Sequence, residues 1–246
     1  MDFTLSERQR HWRDRVRAFM DEHVRPAVPT YKAEMEAFGT ERWQPVPVIE
    51  RLKPVAREAG LWNLFLPPSP QHDDGEFRGA GLTNLDYALC AEEMGRISWA
   101  SEVFNCSAPD TGNMETIERY GTEAHKKQWL EPLLRGEIRS AFLMTEPAVA
   151  SSDATNIQCR IERDGDHYVI NGEKTSISAA DQADITVVFG RTGKPEDGAH
   201  GVTALLVPMN SPGLTTSRFD CHGQRAIGRG SIFFENVRVP VSHRLG

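Results

Sequence analysis

Residues 139–153 read RSAFLMTEPAVASSD and combine an apolar run, a sharp break and a stretch of small side chains. Ala141 to Met144 has strand character. Thr145-Glu146-Pro147 stops it, because proline has no backbone N–H for a ladder and holds the preceding residue extended. Beyond Pro147 the side chains are small apart from Val149: Ala148, Ala150, Ser151 and Ser152. A main chain so thinly covered can bring its amides against a flat ligand. The matching chemistry is a planar, electron-rich ring with acceptor atoms along one edge. By residue type alone, the stretch also reads as an ordinary connection between elements.

Other reactive side chains point to simpler roles. Glu92 and Glu93 lie at a helix end beside Arg96, where solvated ion pairing is the expectation. The cysteines, Cys90, Cys106, Cys159 and Cys221, are far apart with no CxxC. They read as reduced structural thiols of a cytosolic or organelle-matrix protein. Gly223, Gly228 and Gly230 are no dinucleotide fingerprint, since no strand-turn-helix unit surrounds them.

The elements that must position residues 139–153 fall into two kinds. Residues 1–138 have helical spacing. Ser6 caps a first helix whose stripe is Trp12, Val16, Phe19 and Met20, with Arg10, Arg13, Arg15 and Arg17 on solvated faces. Pro26 and Pro29 suggest a linker. A second helix is expected from Trp43 to Gly60, then irregular chain through Pro67, Pro68 and Pro70. Leu82 to Gly95 reads as a helix with Leu82, Leu85 and Leu89 inward. Another spans Trp99 to Tyr120 with a break near Pro109. A last short helix is capped by Thr122 and stopped by Gly136.

From Arg139 the period becomes two. Ile157, Cys159 and Ile161 face one way, and Gln158, Arg160 and Glu162 the other. Asp164-Gly165 and Asn171-Gly172 each read as a tight hairpin turn. Ile185 to Phe189 is the most continuously apolar strand and reads as central. Val202 to Val207, Leu214 to Phe219 and Ser231 to Val239 bring the set to about seven or eight strands. The fold class is α+β: an all-α bundle over 1–138, then a small antiparallel β-barrel or sandwich over 139–246.

Length, at 246 residues, suits one large or two ordinary domains, and the net charge of -7 argues against nucleic acid as a partner. No apolar run reaches the length of a membrane span. The N-terminus is too charged for a signal-peptide core.

The wording FLMTEP, then SSDATNI, then NGEK resembles the flavin loop of the acyl-CoA dehydrogenase flavoproteins. YGTEAHKKQWLEPLLRGEI resembles that family's junction between helical and middle domains. HGQRAIGRGSIFFENVRVPVSHRLG resembles the end of the middle domain. The resemblance implies FAD as cofactor and an acyl-CoA thioester as substrate, oxidised between Cα and Cβ by a carboxylate base and hydride transfer to the flavin.

By the same resemblance, Phe142, Met144 and Thr145 would line the flavin, with Thr145 at its pyrimidine edge. Ser151 would meet flavin-proximal CoA and the substrate. Ser178 would reach the flavin N5 position. Ser176 stands where the family usually carries a tryptophan over the ring, so less stacking area is implied. The loop reads TEPAVASSD rather than the glycine-rich TEPGAGSD. That wording resembles a subgroup acting on longer or hydroxylated acyl-CoA substrates.

Relatives continue into a C-terminal four-helix domain that supplies the catalytic glutamate and the oligomer interface. No catalytic base is therefore expected within 1–246. The implied partners are a C-terminal-domain chain or a homo-oligomer, and an electron-transfer flavoprotein as acceptor. The alternatives are a non-catalytic flavin-, acyl-CoA- or protein-binding relative, and a flavin monooxygenase or acyl-CoA oxidase of the same architecture.

Overall fold

The computed structural model describes residues 4–41, 44–67, 79–150, 153–219 and 228–246. Trp43, Pro68, Pro70, Ser151, Ser152, Cys221 and Gly223 lie outside the described residues. The chain forms two compact units, dividing between Thr111 and Gly112.

In the first unit, α1 (Glu7–Phe19) opens on a capping box in which the Ser6 hydroxyl accepts from the Gln9 N–H. Instead of a linker, a π turn (Met20–Val24) leads directly into α2 (Arg25–Ala37). Pro26 lies in the first turn of α2, where a missing N–H costs little, and Pro29 is carried inside the helix. The π turn absorbs the change of hydrogen-bond register: the Arg25 N–H reaches back to the Met20 carbonyl.

Next, α3 (Pro47–Glu58) ends before Gly60, whose φ of +66° is the left-handed conformation glycine adopts readily. In α4 (Asn84–Met94) the buried face is Asp86, Cys90, Glu93 and Met94. Leu85 is 66% exposed, contrary to its expected inward position. The helix is turned by its polar residues. Asp86 closes a capping box with Thr83, and Glu93 is drawn inward by Arg17 at 2.5 Å and Arg96 at 3.0 Å. Glu93 is thus a buried partner of two arginines, while Glu92 fits the exposed ion-pair expectation, 3.5 Å from Arg96. Arg17 holds the Glu93 carboxyl below the usual carboxylate range. Arg15 also departs from a purely solvated role: it donates to the Ala59 carbonyl at 2.6 Å and lies over the Trp12 ring. The short α5 (Ala100–Val103) and the chain to Asp110 interrupt the helix expected over Trp99–Tyr120.

In the second unit, α6 (Asp110–Tyr120), which begins just before the division, is followed by α7 (Glu123–His125), a π turn (Lys126–Leu130) and α8 (Glu131–Arg135). Thr122 caps α7 by accepting from the His125 N–H, and Gly136, at φ +69°, ends α8, as the sequence predicts.

Seven strands form one sheet among the described residues: β1 (Ser140–Leu143), β2 (Arg160–Asp164), β3 (His167–Ser178), β4 (Ile185–Arg191), β5 (Val202–Pro208), β6 (Leu214–Arg218) and β7 (Arg229–Pro240). The order is β1-β4-β2-β3-β7-β6, with β5 also on β4. The sheet is mixed rather than wholly antiparallel. β1 and β4 run parallel, Ser140 opposite Ile185 through Leu143 opposite Val188. The β2–β3 hairpin lies between them in sequence and supplies the crossover that parallel strands need. β4 is central, pairing β1, β2 and β5. One face packs Ala141, Leu143, Cys159, Ile161, Ile170, Ile177, Val188, Leu205, Val207, Ile232, Phe234 and Val237 into the core. The alternation at Ile157, Cys159 and Ile161 is as expected.

Asn171-Gly172 is not a turn. β3 runs through it, and the dipeptide sits at a bulge where pairing with β7 shifts between Ile170 and Gly172. Asn171 accepts from the Asn236 N–H at 2.8 Å, tying the bulge to β7. Gly172 has φ +143°, and a Cβ there would lie 2.9 Å from the Cys159 Cα. Both the backbone and the space require glycine.

Candidate functional site

The site begins where β1 ends. Met144 and Thr145 leave the strand beside the second bulge of β3, between Lys174 and Ile177. The Thr175 N–H donates to the Thr145 carbonyl at 2.9 Å, so the two segments touch directly. Ser176, on that bulge, is exposed and left-handed at φ +58°, a conformation that strains a residue other than glycine. Ser178 is half-buried at the end of β3, opposite Arg229. The Thr175 hydroxyl lies 3.0 Å from that of Ser231, which joins β3 to β7 at the same level.

Phe142 sits on the outward side of β1, 39% exposed, with its ring 5.0 Å from that of Phe189 on β4. Thr145 is thereby placed beside Thr175, with Ser176 next along the chain. Phe142 stands two residues before Met144, which follows the end of β1. Ser151 lies outside the described residues.

Beneath this edge is a buried ion pair. Lys174 is 0% exposed and donates to a Glu146 carboxylate oxygen at 2.7 Å and to the Met144 carbonyl at 3.0 Å. The same Glu146 oxygen accepts from the Cys159 N–H at 2.9 Å, and the other accepts from the Gln158 N–H at 2.7 Å. A carboxylate engaged by an ammonium and two amides is a fixed structural anion and is not placed to abstract a proton. Cys159 lies in the same buried region, and burial pushes its thiol up to about 11, with Lys174 opposing and Glu146 adding to the shift.

Sequence reasoning missed this pair. Its only signal was a glutamate locked before Pro147 and a lysine in a strand otherwise reading as half-buried. It also missed Arg191, which is buried on β4. The Arg191 guanidinium donates to the carbonyls of Ile157 at 2.7 Å and Thr155 at 2.8 Å, and to those of Lys194 and Gly198 at 3.1 Å. It thereby joins the 153–157 segment to the 194–201 turn. The Asp153 carboxylate accepts from the Thr155 hydroxyl at 2.6 Å and the Asn156 amide at 2.6 Å, and these bonds hold it below the ordinary range.

An open cleft of about 600 Å³ lies elsewhere, at the starting ends of β1 and β4. Trp129, Pro132, Ile138, Ile185, Pro208 and Met209 line it. Among the described residues, no group of three or more His, Cys, Asp or Glu side chains could hold a metal ion. No helix there is long and apolar enough to cross a membrane.

The fold and this edge define a class. Residues 6–137 match the acyl-CoA dehydrogenase N-terminal domain and residues 141–237 the acyl-CoA dehydrogenase middle domain. The chain belongs to the acyl-CoA dehydrogenase family. Within it, the chain is 46% identical over 251 residues to acyl-CoA dehydrogenase family member 11 of Mus musculus, covering 98% of this chain and 31% of that one. Among solved structures, it is similar to a putative acyl-CoA dehydrogenase from Mycobacterium abscessus, with TM-score 0.85 and 40% identity, over 99% of this chain and 61% of that one. It is also similar to a glutaryl-CoA dehydrogenase from Mycobacterium smegmatis in complex with FADH2, with TM-score 0.70 and 25% identity, over 98% of this chain and 55% of that one. The chain thus spans about a third to three fifths of the length of these relatives.

Proposed function

We propose that this chain is the helical and flavin-binding part of an FAD-dependent acyl-CoA dehydrogenase, with domains at 1–138 and 139–246. The observation that carries this reading is the fixed edge at 144–146, set against the hydroxyl-rich bulge at 175–178. Thr145, Ser176 and Ser178 carry uncharged hydroxyls, while the nearby Lys174 and Glu146 neutralise each other below the surface. Such a donor set fits a neutral ring with acceptors along one edge. A charged pocket would suit a free anion instead.

FAD, when bound, supplies hydride acceptance. The chain's own residues bind and orient. Phe142 offers apolar area, Met144 and Thr145 offer main-chain edge, and the Ser178 hydroxyl offers one further donor. The 2.9 Å bond from Thr175 to Thr145 holds the two halves of the edge together. Ser151 would meet the acyl-CoA. Donors at the pyrimidine edge favour the reduced ring, where negative charge collects. Glu146 is committed to its donors and would not serve as the base; on this reading the base would lie in a C-terminal domain, and an electron-transfer flavoprotein would be the acceptor.

A second reading, a non-catalytic flavin- or acyl-CoA-binding relative, draws support from Ser176. That exposed side chain supplies little area for stacking.

The test is visible absorbance. The chain is titrated with FAD, alone and mixed with the C-terminal domain of a relative, and acyl-CoA is then added. Bleaching of the flavin band in the mixture is the expected result. Flavin that binds but never bleaches selects the second reading, and absence of flavin binding in either sample overturns both.

A further inference from the structure

Resting on the flavin reading above, we propose that Arg229 is a specificity-determining residue whose guanidinium binds a carboxylate carried on the acyl chain. Arg229 opens β7 and pairs with Ser178 of β3. Directly opposite residues of an antiparallel pair share a face of the sheet, with Cβ atoms about 5 Å apart. Ile177, the neighbour of Ser178, packs into the core, so Ser178 and Arg229 lie on the outer face. Ser231, two residues after Arg229, shares that face and meets the Thr175 hydroxyl at 3.0 Å. Arg229 therefore stands at the border of the hydroxyl-bearing edge.

The Arg229 side chain is half-buried. Among the described residues its guanidinium makes no hydrogen bond, ion pair or ring contact. Other arginines are engaged: Arg17 and Arg96 share Glu93, and Arg191 donates to four carbonyls. The Asp181 carboxylate, three residues after Ser178, is approached by Arg218 at 3.1 Å, an ionic contact rather than an aligned hydrogen bond. Lys174 and Glu146 neutralise each other on the inner side. The outer patch is left with one unmatched positive charge. A partly desolvated cation without an acceptor costs free energy that a bound anion recovers. The planar guanidinium fork suits a carboxylate, which it can meet with two parallel bonds.

The covalent structure of the ligands says which one carries that anion. Hydride transfer needs the acyl Cα–Cβ bond against the ring, so the rest of the chain leaves past the ring border. The phosphates of FAD lie beyond its ribityl chain, and those of CoA beyond its pantetheine arm. Both are remote from a residue that sits across from the ring-facing Ser178. An anion at Arg229 is therefore one borne by the acyl chain itself. An uncharged chain would bury the guanidinium further without an acceptor, which disfavours it.

Calorimetric titration of the FAD-loaded chain with glutaryl-CoA and with the uncharged pentanoyl-CoA of equal length tests this. The unsubstituted chain should bind glutaryl-CoA about tenfold more tightly, the order expected for hydrogen bonds between charged groups. Arg229→Gln should bring the ratio of the two affinities close to unity, and Arg229→Lys should leave an intermediate ratio. A merely structural loss would weaken both thioesters alike. Thr122→Ala, which removes a helix cap, is the destabilised control and should keep the full ratio. A ratio near unity in the unsubstituted chain, a ratio that survives Arg229→Gln, or failure of both thioesters to bind overturns the proposal and leaves the flavin reading intact. A tenfold loss of FAD affinity in Arg229→Gln would assign the guanidinium to the cofactor and overturn it as well. An unsubstituted chain that binds no FAD overturns the flavin reading, and this proposal with it. Should Arg229→Gln fail to fold, Arg229→Lys decides: a reduced ratio supports the proposal and an unaltered one overturns it.

Discussion

At the scale of single residues, the Glu146–Lys174 pair dominates. A buried pair stabilises little relative to apolar residues of like size, yet removal of one partner leaves a charge stranded. Here that charge would keep its other polar neighbours, so the loss is concentrated in the turn at 144–146. Lys174→Met should lower unfolding free energy by about 3–5 kcal/mol. Joining Glu146→Met to Lys174→Met should recover part of that loss, giving a coupling energy well above the roughly 0.5 kcal/mol of independent sites. Urea denaturation of the two single variants and the double variant measures this. Additive single losses would mean that the two side chains do not act as a pair.

At the scale of elements, local signals read well wherever local chemistry decided the outcome. Ser6 and Thr122 cap their helices, Gly60 and Gly136 follow helix ends, and Ile157, Cys159 and Ile161 alternate inward as their spacing requires. Local signals failed where distant partners decided. Asn171-Gly172 has the composition of a hairpin turn, but β7 pairs on both sides of it, at Ile170 with Val237 and at Gly172 with Phe234. The glycine freedom that suits a turn is used in a bulge instead. Leu85 is turned outward because Asp86 and Glu93 are themselves buried, paired with Arg8, Arg17 and Arg96 at the surface, which no hydrophobic stripe reveals. The site followed the same division. The break after β1 was legible from Thr145-Glu146-Pro147, while the buried support of that turn depended on a lysine 28 residues further along the chain. The bulge makes a direct prediction. Gly172→Ala should cost about 1–3 kcal/mol, from a positive φ and a Cβ 2.9 Å from Cys159. Thermal unfolding checks it, and an unperturbed melting temperature would show that β3 relaxes around the added methyl group.

At the scale of the whole molecule, the two units carry different titrating groups, so pH can address them separately. In the first unit, Arg17, with Arg96, depresses the Glu93 carboxyl below its ordinary value of 4.5. In the second, burial depresses the His243 imidazole below 6.5, with the charge of His125 acting the same way and a bond to the Leu206 carbonyl opposing. The His243 ring also meets the edge of Trp129 at 4.9 Å. For both groups the unfolded chain binds more protons than the folded one, so stability rises with pH across each window. The contribution of His243 is fully present above 6.5 and is lost as pH falls from there through its folded value. That of Glu93 is present above 4.5 and is lost only in more acid solution. Melting followed from about pH 8 to about pH 3 should therefore show two successive losses, the first in the sheet-bearing unit and the second, in more acid solution, one to which Glu93 of the helical unit contributes. His243→Asn should flatten the first loss and leave the second. Glu93→Gln should lower stability above 4.5 and remove part of the second loss without moving the first. Trp129, on the π turn beside His243, gives the first step a local reporter, since its fluorescence should change with that step alone. A first loss that survives His243→Asn would place its origin in another group, and the separate titration of the two units would fail with it.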